Sequence, residues 1–171
     1  MDNPYDYRNC QSLFGYAASV HERSGGICQL CGCGFQNLDF DLWRQLIVEH
    51  LIGSSQGGYS RHILDSLFQK YPEEELDRIA SLAAEIDVAN TITACSFCNS
   101  TTSRDRAPQS MDALIQGGPD DIELMASYVV ARLREISERK RHTVMHKVAA
   151  VRAAYDELVA SKLLASRNAR E

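Results

Sequence analysis

LIVEHLIGSSQGG, Leu46 to Gly58, sets three apolar residues against Glu49-His50 and then falls into a Ser/Gly-rich stretch. The short apolar run reads as a buried strand, and Ser54 to Gly58 reads as a loop. Why a buried strand should end on a carboxylate beside an imidazole is decided by what the rest of the chain brings to it.

Upstream, Leu13, Phe14, Ala17 and Ala18 have helical spacing and run into Ser24-Gly25-Gly26. The Cys/Gly-rich ICQLCGCG follows, too full of glycine for regular structure, and then FDLWRQ leads into the Leu46 strand. Downstream, residues 59–87 read as an inserted helical pair. Ile63, Leu64, Leu67 and Phe68 make one apolar face, Tyr71-Pro72 breaks it, and Leu76, Ile79, Leu82 and Ile86 make the next. The insert is acidic: Asp65, Glu73, Glu74, Glu75, Asp77, Glu85 and Asp87 stand against Lys70 and Arg78. NTITACSFCNSTTSR, from Asn90, returns to strand and turn character, with the second strand expected at Thr91 to Ala94.

Gln116-Gly117-Gly118-Pro119 breaks the chain, and Asp120-Asp121 can cap the helix after it. A division into residues 1–118 and a C-terminal amphipathic helical region, 119–171, is expected there. In that region Ile122, Met125, Val129, Leu133 and Ile136 step by three or four, and Val144, Val148, Val151, Tyr155 and Leu158 resume the pattern as a core-packing face. Between the two runs Arg132, Arg134, Arg139, Lys140, Arg141, Lys147 and Arg152 outweigh Glu135 and Glu138. Arg139, Lys140, Arg141 and Lys147 are candidates for contact with a polyanion. His142 and His146, four apart on one helical face, have the spacing of a metal pair but read first as part of this basic stretch. His21 and His62 read as surface or packing residues.

With 171 residues the chain is long enough to bury a real core, and 24% charged with 44% apolar residues is the composition of a globular protein. No apolar run reaches the roughly 20 residues that span a bilayer, and the polar MDNPYDYRNC start has no leader character, so a cytoplasmic protein without membrane contact is expected. A net charge of −5 argues against a general nucleic-acid coat protein while leaving room for a local basic surface. Six cysteines in such a chain point to metal or redox chemistry rather than a disulfide framework.

Cys28-Gln-Leu-Cys31 and Cys95-Ser-Phe-Cys98 are two CxxC pairs. Two intervening residues let both sulfurs of a tight turn face one ion, and two such knuckles complete a tetrahedron of thiolates, a closed structural Zn²⁺ site. Cys33 competes with Cys31 as a ligand, and Cys10 reads as a plain thiol. Such a zinc would tie the segment before the Glu49-His50 strand to the segment around Asn99.

The ordered set Cys28/Cys31, Glu49-His50, a Gly-Gly loop, Asn90, then Cys95/Cys98 with Asn99 directly after it resembles the HNH (ββα-metal) endonuclease family of the zinc-binding CxxC…CxxCN type. The separation of nine from Asn90 to Asn99 matches the spacing of that family's middle and last motif residues, and the likeness spans Arg23 to Arg106 apart from the insert. The resemblance implies an α+β, mostly helical fold: a ββα-metal core stapled by the four-cysteine zinc, with the helical insert and long C-terminal helices. It makes His50 and Asn90 catalytic, His50 as general base for the attacking water and Asn90 as the residue that fixes the loop and orients it. Glu49 and Asn99 would hold one Mg²⁺ or Mn²⁺. The implied activity is endonucleolytic hydrolysis of DNA, in a setting of bacterial or phage defence.

Three positions depart from the pattern. Glu49 stands where Asp is usual, Gly53 replaces a proline, and Thr101 to Ser103 lack the usual basic residue, with Arg104 and Arg106 the nearest substitutes for phosphate contact. A homodimer through the C-terminal helices, or a partner protein, such as an ATPase, docked on the acidic insert, fits the same resemblance. The competing expectation is a catalytically idle zinc module that binds nucleic acid or protein. Asn99 also suits a helix N-cap.

Overall fold

β1 (Leu46–His50) and β2 (Thr91–Cys95) pair antiparallel, with Leu46 opposite Cys95 and His50 opposite Thr91. Two strands alone are marginal in water and need helices packed on them. Here α1 (Gly15–Ser24) and α5 (Ser96–Thr102) cover the pair, and every residue of β2 is buried. The second strand runs one residue beyond the expected Ala94 and ends on Cys95, so the second CxxC pair straddles the junction between β2 and α5.

The computed structural model describes residues 15–102 and 105–163. Cys10, Leu13, Phe14 and Arg104 lie outside the described residues. Within them the fold is mostly helical around this one small sheet. No described helix is long and apolar enough to cross a membrane.

The insert forms α3 (Ser60–Lys70) and α4 (Leu76–Ala89), packed on each other, following α2 (Phe40–Trp43) and β1 in the chain. Ile63 and Leu67 on α3, and Ile79, Leu82 and Ile86 on α4, are buried as their spacing demands, while Leu76 stays exposed. These residues share one core with Met111, Leu114 and Ile115 of α6 (Met111–Gln116) and with Ile122, Met125, Val129 and Leu133 of α7 (Ile122–Ala154). The division expected at 118–119 falls in the turn between α6 and α7, and both sides feed the same core.

Asp121 caps α7 by accepting from the Glu123 amide at 3.0 Å. At 33 residues, α7 is about 50 Å long at 1.5 Å per residue. Its first apolar run is buried, as is Val144, but Val151, Tyr155 and Leu158 are exposed. The expected second core face therefore leaves the core after Val148, which is half-buried. Tyr155–Leu163 continue in the wider π-helical winding.

Candidate functional site

The first CxxC pair sits in a loop folded onto β2. Gln29 pairs with Thr93 like an extra strand residue: its amide donates to the Thr93 carbonyl and its side-chain oxygen accepts from the Thr93 amide, both at 2.9 Å. The loop closes on itself through Gly32 N–H to the Cys28 carbonyl at 2.8 Å and Cys28 N–H to the Cys33 carbonyl at 2.9 Å. Gly32 takes φ +79°, a conformation that side chains disfavour. These ties bring the sulfurs of Cys28, Cys31, Cys33 and Cys95 within 4.8 Å of one another. Cys98, from the first turn of α5, is buried beside the same thiols and interacts with Cys28, Cys31 and Cys95.

Five thiols thus converge where four were expected, and Cys33, the expected competitor, is among the four nearest. The Cys95 amide donates to Cys28 Sγ at 3.3 Å, a contact that favours a thiolate there. Hydrogen bonds from Cys31, Cys95 and Cys98 hold the Cys28 thiol well below its usual range, whereas burial, reinforced by the charge of Cys95, pushes Cys33 up to about 12. Thiols this close cannot all ionise beside one another unless a cation neutralises them. The four-cysteine group can hold a metal ion such as zinc, for which soft sulfur donors in tetrahedral number are suited.

At the other end of the strand pair, a cleft of about 240 Å³ is lined by Glu49, His50, Gln56, Tyr59, Asn99, Thr102, Arg106 and Lys140, among others. Glu49 and His50 come from the end of β1, Tyr59 from the start of α3, Asn99 and Thr102 from α5, and Lys140 from the middle of α7. Asn99 is the fourth residue of α5 rather than its N-cap, which leaves its amide free of capping duty.

Asn90 does not line this cleft. Fully buried at the C-terminus of α4, it binds the chain that follows His50. Its side-chain oxygen accepts from Ile52 N–H at 2.9 Å, and its amide donates to the carbonyls of Ile52 (3.0 Å) and Gly58 (2.8 Å). Its own carbonyl accepts from Leu51 N–H at 2.9 Å. Gly58 must be glycine: a Cβ there would sit 1.7 Å from the Ile52 carbonyl oxygen. The far side of the same loop is held by Gln56, whose side-chain amide bonds both ways with the backbone of Ala107, at 2.9 and 2.8 Å.

His50 packs its ring against Tyr59, centroids 4.5 Å apart. Burial lowers its pKa, with Lys140 adding to the effect and the charges of Asp87 and Glu49 opposing it. It is therefore a neutral imidazole at neutral pH, the form that can accept a proton. Glu49 forms a buried ion pair with Lys140, whose ammonium also lies 3.4 Å from the His50 carbonyl. Lys140 and Thr102 both donate to the same carboxylate oxygen, Oε1. The second oxygen, Oε2, has no protein donor among the described residues.

Of the residues expected to meet phosphate, Arg106 lines the cleft and is exposed. Arg139 donates to the Arg106 carbonyl at 3.0 Å, and Lys147 to the Thr101 carbonyl at 2.6 Å, where a cation suits the C-terminal end of α5. Lys140 is buried rather than presented to solvent, because Glu49 and the cleft claim its ammonium. Arg141 faces away, beside Glu138, Phe35 and the Cys28 loop. Arg104 lies outside the described residues.

Tyr59 and Gln56 were not expected in the cleft; the only signal for them was their place just after Glu49-His50. His21, read as a surface or packing residue, is buried, hydrogen-bonded to Thr93 Oγ1 at 2.9 Å and edge-on to Trp43. No protein-family model matches the chain, and no curated protein or solved structure matches it.

Proposed function

We propose that this chain is a metal-dependent endonuclease of the HNH type that hydrolyses phosphodiester bonds in DNA. One observation carries the reading: Glu49, His50 and Asn99, remote in sequence or on different elements, line a single cleft beside a strand–strand–helix unit whose other end is a thiol cluster. The oxygens available, Glu49 Oε2 and the Asn99 side-chain oxygen, are the hard donors that Mg²⁺ or Mn²⁺ takes, with water completing the shell. Bound there, such an ion would neutralise charge on the scissile phosphate and on the departing 3′-oxygen.

The chain's own residues divide the remaining work. His50 Nδ1 or Nε2, neutral at working pH, takes the proton of the water that attacks phosphorus. The P–O3′ bond breaks in line with the new P–O bond, leaving 5′-phosphate and 3′-hydroxyl ends once the alkoxide takes a proton from solvent. Asn90 fixes Leu51, Ile52 and Gly58, and so the position of the strand end that carries His50. Lys140 holds Glu49 by one oxygen and leaves the other for the cleft. Arg106, exposed in the cleft lining, would meet the phosphate, and a zinc in the thiol cluster would lock α5, and with it Asn99, onto the Cys28–Cys33 loop and the end of β2.

The resemblance also suggests the setting, a cytoplasmic defence nuclease working beside a second copy or a partner, with exposed Glu73, Glu75, Asp77 and Glu85 as a docking face. A second reading, an idle zinc module that binds nucleic acid or protein, is favoured by the ion pair itself, since Lys140 already supplies Glu49 with a cation.

Cleavage of supercoiled plasmid in Mg²⁺ or Mn²⁺ separates the two. Wild type is expected to nick or linearise it, and His50→Ala to lose on the order of 10²–10⁴ in rate. Equal cutting by both would remove His50 from the mechanism. No cutting by either, across both metals, would favour the binding module.

A further inference from the structure

α7 carries a second group of metal-ligating side chains, His142 and His146, which belong to neither site described above. His142 and His146 are exposed, and their Nε2 atoms approach to 3.4 Å with ring centroids 4.6 Å apart. The four-residue spacing places them side by side on a helix, one turn apart. Lys140 and Val144, which alternate with them in sequence, turn to the buried face, so the histidines stand on the side facing water.

The separation of the two nitrogens is informative. Two imidazoles each about 2.0–2.1 Å from one ion, at a tetrahedral angle, have nitrogens roughly 3.3–3.4 Å apart. Exposed histidines have water to bond to and do not need one another, yet the two Nε2 atoms sit within hydrogen-bond reach of each other, in a contact that a shared ion would replace. Imidazole is the donor that suits zinc, copper and nickel, and two histidines four apart on one helical face form a recurrent half-site for such ions. Glu138, one turn before His142, lies on the same side of the helix and is exposed, a third donor within the reach of a rotamer change. Arg139 and Arg141 beside it are exposed as well, so their repulsion is screened by solvent.

We propose that His142 and His146 form a second metal site, a bidentate seat for a transition-metal ion of the zinc class. It is independent of the thiol cluster and of the Glu49/His50 cleft. Two nitrogens leave about half of a tetrahedral shell open to water or to a donor from outside the chain. The site is weaker than the thiolate cluster, and it loads after that cluster is full.

The test uses the full chain, first loaded with one equivalent of Zn²⁺ and then titrated with more Zn²⁺ while the histidine ring nitrogens are followed by ¹⁵N NMR. Five histidines make the assignment tractable. The Nε2 signals of His142 and His146 are expected to shift together and saturably. In His146→Ala the His142 response is expected to weaken at least about tenfold in apparent affinity, because the second donor no longer acts at high effective concentration. His50→Ala should leave both shifts intact. The proposal is overturned if neither ring responds, if His142 responds equally in His146→Ala, or if only His50 responds. That last result would place the added ion in the cleft and would still speak for the nuclease reading. Both histidines are exposed, so an unchanged backbone spectrum of the variant shows that its fold is intact.

Discussion

At the Leu46–Cys95 end of the strand pair five thiols crowd together; at the His50–Thr91 end a carboxylate, an imidazole, an amide and an ammonium share a cleft. The two ends are built on the same strands and the same short helix, with Cys98 and Asn99 adjacent on α5. They differ in how each is held. The thiol end has one donor type in excess, gathered from a local loop and the β2–α5 junction, so four sulfurs can serve an ion and one is spare. The cleft has one copy of each group, drawn from distant segments, and its carboxylate is positioned by a lysine 91 residues away. Redundancy suits a staple, and a single copy of each group suits chemistry.

The largest effect should follow from attacking the staple. Structural zinc contributes on the order of 10 kcal/mol of apparent folding free energy, comparable with the whole stability of a domain. A strong chelator, or Cys28→Ser, is expected to lower Tm by about 15 °C or more or to prevent folding, as read by calorimetry. Cys33→Ser should stay within about 1 kcal/mol of wild type if the two CxxC pairs supply the ligands. A damaging Cys33→Ser with a mild Cys98→Ser would shift the ion to Cys28, Cys31, Cys33 and Cys95, the four nearest sulfurs.

The next effect probes the other end. The side chains of Lys140 and Glu49 are 4% and 8% exposed, so Lys140→Met leaves a carboxylate buried without its partner and is expected to cost about 3–5 kcal/mol in urea unfolding. Glu49→Gln/Lys140→Met should recover much of that loss, because the double change removes both charges. Additive losses would mean that the two residues contribute independently and that Lys140 does not position Glu49.

The same contrast explains what could be read from the chain alone. The knuckles were legible because a CxxC pair is local, and both strands because Ile47-Val48 and Thr91-Ile92-Thr93 are short β-forming runs bounded by turns. The insert helices were legible from their periodicity. Lys140 was not: within Arg139-Lys140-Arg141 every residue reads as a surface cation, and only the fold shows that the middle one turns inward to Glu49. Val151, Tyr155 and Leu158 continue the periodicity of α7, but periodicity reports a face and not how fully anything covers it; here Val151 and Tyr155 border the thiol cluster and stay about half exposed. Tyr59 and Asn99 illustrate the same limit at the cleft, since ring packing and position within a helix depend on contacts that no local pattern encodes.

The smallest effect is one of pH, and it distinguishes the histidines at the two ends. Burial lowers the pKa of His21, opposed by the Leu46 carbonyl, and burial likewise lowers that of His50. In both cases the unfolded chain takes up its proton first, near pH 6.5, so the folded state is favoured above that pH and loses this contribution as pH falls through the folded pKa. Between about pH 6.5 and 5 most carboxylates are still ionised, so the slope of stability against pH in this window reports mainly on histidine. His50→Gln is expected to flatten that slope in part and leave the remainder to His21. Plasmid cleavage should follow His50 alone: the rate should remain on its plateau through pH 6.5 and fall only in more acidic solution, when the imidazole becomes protonated. A rate that already halves near pH 7 would mean that His50 sits in a less buried setting than this cleft provides, or that another group takes the proton.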